Sequence, residues 1–208
     1  MSQKIVSDFV TLFVVLDPVG TLVIFLAISQ KMQPSERRST ALFGVLYSFF
    51  ALLFFIVLGE LLLVQIGIPL RAFQIAGGIL VFLYGIEMSL GTSTPGDAYS
   101  KVTAGGFRSL AVYPLAIPAI AGPGAMLTVV LLTDNRAFPI WQQGLTVAVL
   151  AVALAIFFLI LLAADPIIKV IGTGGANVLR RVMGILLSAI AANMVLSAFQ
   201  SWLELPAL

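Results

Sequence analysis

The sequence predicts an all-α integral membrane protein with six transmembrane helices. They form two inverted three-helix repeats, with helices 1 and 4 broken near the midplane. Three observations carry this. Of 208 residues, 61% are hydrophobic and 10% charged, with a mean hydropathy of +1.14. Soluble domains have roughly 45–50% apolar and about 25% charged residues, and a chain this small cannot hide the excess in one core. Six apolar stretches are each long enough to cross a hydrocarbon core, which needs about 20 residues of helix. The two halves also match each other at a shift of 105 residues, as from Pro18 to Pro123.

The first span covers about 8–30 and contains Asp17-Pro18-Val19-Gly20 near its middle. The polar run Lys31-Met32-Gln33-Pro34-Ser35-Glu36-Arg37-Arg38 follows. The second span, 41–66, holds Glu60 and stops at the turn Gly67-Ile68-Pro69. The third, 70–91, carries Gly77-Gly78, which reads as a close helix contact. Glu87, near its inner end, reads as an interfacial acid. A cytoplasmic linker is expected over 92–108. The fourth span, 109–133, contains Pro114, Pro118 and Gly122-Pro123-Gly124. After Asp134-Asn135-Arg136, the fifth runs over 142–166 and holds Asp165 near its end. Gly172-Thr173-Gly174-Gly175 is a turn, because it lacks the Lys and Ser/Thr of a phosphate loop. The sixth span, 177–201, contains Gly184 and Asn193. The runs are continuously apolar and do not alternate, which argues against a β-barrel. Nothing suggests an appended soluble domain, so 1–208 reads as one transmembrane domain. The repeats cover about 8–91 and 109–201.

Basic residues set the orientation. One side holds Lys4, Arg71 and Arg136. The other holds Lys31, Arg37, Arg38, Lys101, Arg108, Lys169, Arg180 and Arg181. The richer side is cytoplasmic, so both termini face out, and Trp141 and Trp202 fall at the outer interface. The same assignment explains the net charge of +2 without nucleic acid. The chain has no Cys and no His. That removes disulfides, thiolate chemistry and His-ligated metals, and also the usual general base near neutral pH. No cofactor and no metal are expected, and no enzymatic activity. An intramembrane enzyme would need Asp17 to meet a second acid.

The repeat pairs Pro18 with Pro123, Leu22 with Leu127, Glu60 with Asp165 and Gly67 with Gly172. One residue later in register, Gly78-Ile79-Leu80 pairs with Gly184-Ile185-Leu186, and Met88 with Met194. Three spans per half make the second half enter from the opposite side. Inverted repeats with interrupted helices are a transporter plan whose site lies between the halves.

Proline removes a helix hydrogen bond and clashes with the preceding turn. Each Gly/Pro motif therefore predicts two half-helices, unless it is a plain kink shaping the bundle. The second half-helices begin near Gly20-Thr21 and Gly124-Ala125. Their free N–H groups and partial positive charge favour an anion. The ends of the first half-helices offer carbonyls to a cation, so a zwitterion would use both. No Lys or Arg is expected near the centre of a span. Asp17 reads as a helix cap, an ammonium ligand or a coupling-proton carrier. Glu60 and Asp165 read as interfacial acids or as a proton relay or gate. Asn193 reads as a helix cross-link or a substrate contact.

At these motifs the chain resembles the MarC family, also described as small neutral amino acid transporters of the SnatA type. The resemblance spans essentially the whole chain. It rests on Leu16-Asp17-Pro18-Val19-Gly20, Ala119-Ile120-Ala121-Gly122-Pro123-Gly124-Ala125, Gly77-Gly78-Ile79-Leu80 and Gly184-Ile185-Leu186-Leu187. It implies six spans, an inner-membrane location and, as in some members, carriage of glycine- or alanine-like amino acids on an ion gradient. It carries over Asp17, Pro18, Gly20, Gly122, Pro123 and Gly124 as site residues. Many relatives have Gln where Asn193 stands. With the half-helix argument, the expected substrate contacts are Asp17, Pro18, Gly20, Thr21, Gly122, Pro123, Gly124, Ala125 and Asn193. Asp17, Glu60 and Asp165 are the expected coupling residues. The expected partners are a small neutral amino acid, a proton as coupling ion and the lipid bilayer, with a homo-oligomer allowed. An exporter of other small metabolites or drugs is the alternative, as is a non-transporting scaffold or regulator.

Overall fold

A computed structural model describes residues 2–29, 32–91 and 107–203. Among these, every regular element is helical. They are α1 (Ser2–Leu16), α2 (Pro18–Ser29), α3 (Pro34–Ile66), α4 (Leu70–Leu90), α5 (Phe107–Leu110), α6 (Ala111–Ile120), α7 (Pro123–Leu132), α8 (Ile140–Leu162) and α9 (Ala164–Trp202). Five stretches are long and apolar enough to cross a membrane, and six when the bent pair of Phe107–Ile120 and Pro123–Leu132 is one span. Most of the linker expected at 92–108, with Lys101, lies outside the described residues, as does Lys31.

Local chemistry explains the boundaries. Helix α3 starts at Pro34, earlier than the hydropathy placed it. Proline is tolerated in a first turn, and Glu36 accepts a hydrogen bond from the Gln33 N–H at 2.9 Å. It ends at Gly67 with φ 75°, a left-handed cap that suits glycine. The paired residue Gly172 has φ 69° and interrupts α9. The fifth span stops at Leu162, so Asp165 falls in the first turn of α9, not inside the span.

The spans cross antiparallel in matched pairs. Along α4 and α9, Gln74 donates to the Met194 carbonyl at 2.9 Å, and Gly91 lies opposite Arg181. Between these points Gly85 and Gly184 bring the two backbones together. A Cβ on Gly184 would lie 2.7 Å from the Gly85 carbonyl oxygen. The close helix contact expected of Gly77-Gly78 is thus observed, with Gly78 facing Val195 and Ala191 of α9 and Gly77 facing Leu127 of α7.

Helices α3 and α8 also run antiparallel. Arg37 at the start of α3 binds Asp165 just past α8, with contacts of 2.6 and 3.1 Å. Glu60 near the end of α3 accepts from Asn135 just before α8, at 2.6 and 3.1 Å. The packing repeats between halves. Helix α3 lies against α6 and α7, as α8 lies against α1 and α2. Helix α4 touches α7, as α9 touches α2. The buried core gathers Leu12, Leu16, Phe25, Leu115, Leu150 and Phe157 around the broken spans. Large apolar side chains such as Phe50, Val57, Leu83, Leu159, Ile185 and Leu196 are exposed, a surface that suits lipid.

Candidate functional site

The two Gly/Pro motifs break their helices where the sequence says. Asp17 separates α1 from α2 with φ 50°, a left-handed conformation that Asp adopts more readily than most residues. Its carbonyl accepts from the Thr21 N–H at 3.1 Å, and its carboxylate Oδ1 accepts from the Gly20 N–H at 3.0 Å. Asp17 is therefore the N-cap of α2, with Pro18 as the first helical residue.

Its second oxygen, Oδ2, accepts from the Tyr84 hydroxyl of α4 at 3.0 Å. The charge of Arg180 on α9 lies close enough to be felt at this carboxylate. Asp17 is 3% exposed and Arg180 5%. A buried carboxylate is tolerable only with such partners.

Arg180 corrects the sequence reading. Counting it as a loop cation made it a solvated charge, but its side chain is buried and its helix runs unbroken from Gly174 to Trp202. A fixed positive charge is thus present near the break. The free N–H groups expected at Gly20-Thr21 are corrected as well, since both donate to Asp17 itself.

The second break differs. Residues Ala111–Ile120 form a wide, irregular coil in which Tyr113 and Ile117 are extended, as Pro114 and Pro118 require of the residues before them. The chain then bends by 59° into α7. Gly122 occupies the N-cap with φ −79° and ψ 171°, and no side chain caps α7. Gly122 is the repeat partner of Asp17. One half therefore carries its own anion at the cap, and the other presents the first-turn N–H groups of Gly124 and Ala125 without one. Pro123 has no N–H to offer.

The two breaks touch, because the Thr21 hydroxyl donates to the Ala119 carbonyl at 3.2 Å. The structure thus brings Asp17, Pro18, Gly20, Thr21, Gly122, Pro123, Gly124 and Ala125 into one region.

It does not bring Glu60, Asp165 or Asn193 there. Glu60 and Asp165 join the ends of α3 and α8 at opposite faces, and the Asp165 side chain is 54% exposed. Asn193 is exposed and, among the described residues, makes no hydrogen bond to another helix. Sequence reasoning missed Tyr84, for which no local signal exists. It also missed a buried acid, Asp8. This carboxylate binds Lys4 at 2.8 Å and accepts from Thr146 of α8 at 2.7 Å.

Comparison with known proteins agrees with this architecture. The family model described as MarC family integral membrane protein matches residues 2–203. The UPF0056 inner membrane protein YhgN of Escherichia coli is 32% identical over 202 residues, covering 97% of this chain and 99% of that protein. A UPF0056 membrane protein of Methanocaldococcus jannaschii is 32% identical over 199 residues, with 95% and 97% covered. One of Aquifex aeolicus is 32% identical over 203 residues, with 96% and 94% covered. No solved structure matches the chain. Its six apolar spans, two of them broken, and this end-to-end likeness make it a member of the MarC family of integral membrane proteins.

Proposed function

We propose that the chain is a secondary transporter of small neutral amino acids of glycine or alanine size, driven by protons across the inner membrane. The carrying observation is the asymmetric pair of breaks. One helix start is capped by Asp17, and the equivalent start at Gly122 has no side-chain cap. The amino acid carboxylate would take the Gly124 and Ala125 N–H groups, where donors and the helix dipole favour an anion. Its ammonium would face the carbonyls ending α6 and the carboxylate of Asp17. Compensation on both sides is needed because an uncompensated charge at this depth is costly. The antiparallel matched spans, the positive φ of both Gly67 and Gly172 and the touching breaks support an inverted repeat. The glutamate–asparagine and arginine–aspartate contacts that join α3 to α8 support a gating role for Glu60 and Asp165, in place of a proton relay.

The test is accumulation of labelled alanine in proteoliposomes under an imposed pH gradient. Saturable accumulation is expected for the native chain. Asp17→Asn keeps the cap and the left-handed backbone, since Asn accepts both. It should retain exchange while losing most gradient-driven accumulation. Full accumulation by Asp17→Asn would remove Asp17 from coupling and leave it as a cap alone.

In the proposed orientation both termini face out, as the basic residues direct. Cysteines placed singly at Ser35 and Gly67 test it, the native chain having none. An impermeant thiol reagent applied to intact cells should label Gly67→Cys and spare Ser35→Cys. The reverse pattern would invert the topology.

A further inference from the structure

We infer that the groove between α1, α7 and α9 is a second solute station, one turn outward from the break. It takes a small, net-neutral polar molecule through Thr128, Thr11 and Asn193. The inference rests on the transport reading above and names a site beyond the helix breaks.

The groove encloses about 430 Å³ and is lined by Thr11, Thr128, Leu131, Leu132, Ala189, Ile190, Asn193 and Met194. Thr128 is its unusual member. A hydroxyl inside an apolar helix normally donates to the carbonyl one turn back. Thr40, Ser48, Thr133 and Ser188 all do so here, at 2.6 to 2.9 Å. Thr128 is 1% exposed, and its hydroxyl makes no hydrogen bond. A buried hydroxyl without a partner costs free energy, and a ligand hydrogen bond would recover it.

Two more polar side chains face the same groove from other helices. Thr11 on α1 and Asn193 on α9 also make no side-chain hydrogen bond among the described residues. Three unpaired polar groups on three helices, set among Leu, Ile and Met, fit a solute with a few polar atoms. No charged residue lines the groove, so an ion with net charge would be uncompensated there.

Position supplies the route. Thr128 stands one turn beyond Gly124 on α7. At the other end, Leu131 lines both the groove and a wider cavity of about 840 Å³, which holds Arg71, Asp134, Arg136 and Trp202. A solute would pass from this charged outer vestibule through a neutral station to the break.

The experiment pairs Thr128→Val with single cysteines at Thr11 and Asn193. Valine keeps the shape and removes the hydroxyl, so the purified variant should melt no lower than the native protein. Its half-saturation for alanine in proteoliposomes should rise about tenfold, the loss of one buried hydrogen bond. Alanine should slow thiol labelling at Asn193→Cys and Thr11→Cys several-fold, and leave a cysteine at Val178, exposed on the same helix as Asn193, unaffected. Native transport with unchanged half-saturation in Thr128→Val and no protection by alanine would overturn the station and leave the transport reading standing. Protection by added phospholipid in place of alanine would make the groove an acyl-chain seat and overturn it as well. Absence of both flux and protection for every amino acid tried would overturn both.

Discussion

Replacing Gly184 by valine should prevent α4 and α9 from packing. We expect the variant to lose about 3 kcal/mol or more of stability, or to fail to purify as a monodisperse species. The reason is which atoms lie opposite. A Cβ at Gly184 would meet the Gly85 carbonyl oxygen and the Ser89 nitrogen, both at 2.7 Å. These are backbone atoms of a helix that is itself packed, and neither can turn aside as a side-chain tip could. The two helices would have to separate along their length. In lipid this matters more than in water, because association rests on close packing and not on expulsion of water. Gly144→Ala is the control. A Cβ there meets nothing within 4 Å, and the gain in helix propensity makes the change neutral or stabilising by about 0.5–1 kcal/mol. Thermal melting in detergent, read by size-exclusion, distinguishes the two. A Gly184→Val protein that melts like the native one would contradict the seam.

The second large effect is expected at Gly124. A Cβ there would approach Val81 Cγ2 of α4 to 2.5 Å and Val15 Cγ1 of α1 to 3.5 Å. Val81 is branched at Cβ, is buried and packs with Leu187 and Ala191, so it has little freedom to move. Valine there would collide with α4 and disturb folding. Gly124→Ala is the informative change. It should shift the start of α7, and with it the Gly124 and Ala125 N–H groups. A displacement on the order of 1 Å at a positioning element can cost about a hundredfold, so alanine uptake should fall ten- to a hundredfold. Adding Val81→Ala restores room and should recover most of the rate. Gly124→Ala transport at the native level would show that the start of α7 positions nothing.

The fold was largely readable because its signals are local. Proline and glycine at 17–20 and 122–124 break a helix through backbone geometry alone, and glycine at 67 and 172 answers a positive φ. The site was readable only in part, because its decisive contacts are distant in sequence. Asp17 meets Tyr84 across 67 positions, and Arg37 meets Asp165 across 128. No window of residues contains either pair. Arg180 was misread for a different reason. The adjacent Arg181 made the pair look like a membrane edge, whereas the helix continues through both and turns Arg180 inward. The difference between the two caps, Asp17 against Gly122, was present in the repeat alignment. Its meaning needed the structure, which shows the first cap filled by its own carboxylate.

The most direct test of the central claim is counterflow. Proteoliposomes loaded with unlabelled alanine are diluted into trace labelled alanine, with no ion gradient. Transient uptake is expected that depends on the protein, is supported equally by glycine inside, and is weakly supported by leucine or phenylalanine. Ethylamine, which keeps the ammonium and lacks the carboxylate, should neither drive nor inhibit it. Counterflow that ethylamine supports as well as alanine does, or no counterflow with any amino acid, would contradict a carrier that holds its solute by the carboxylate at the start of α7.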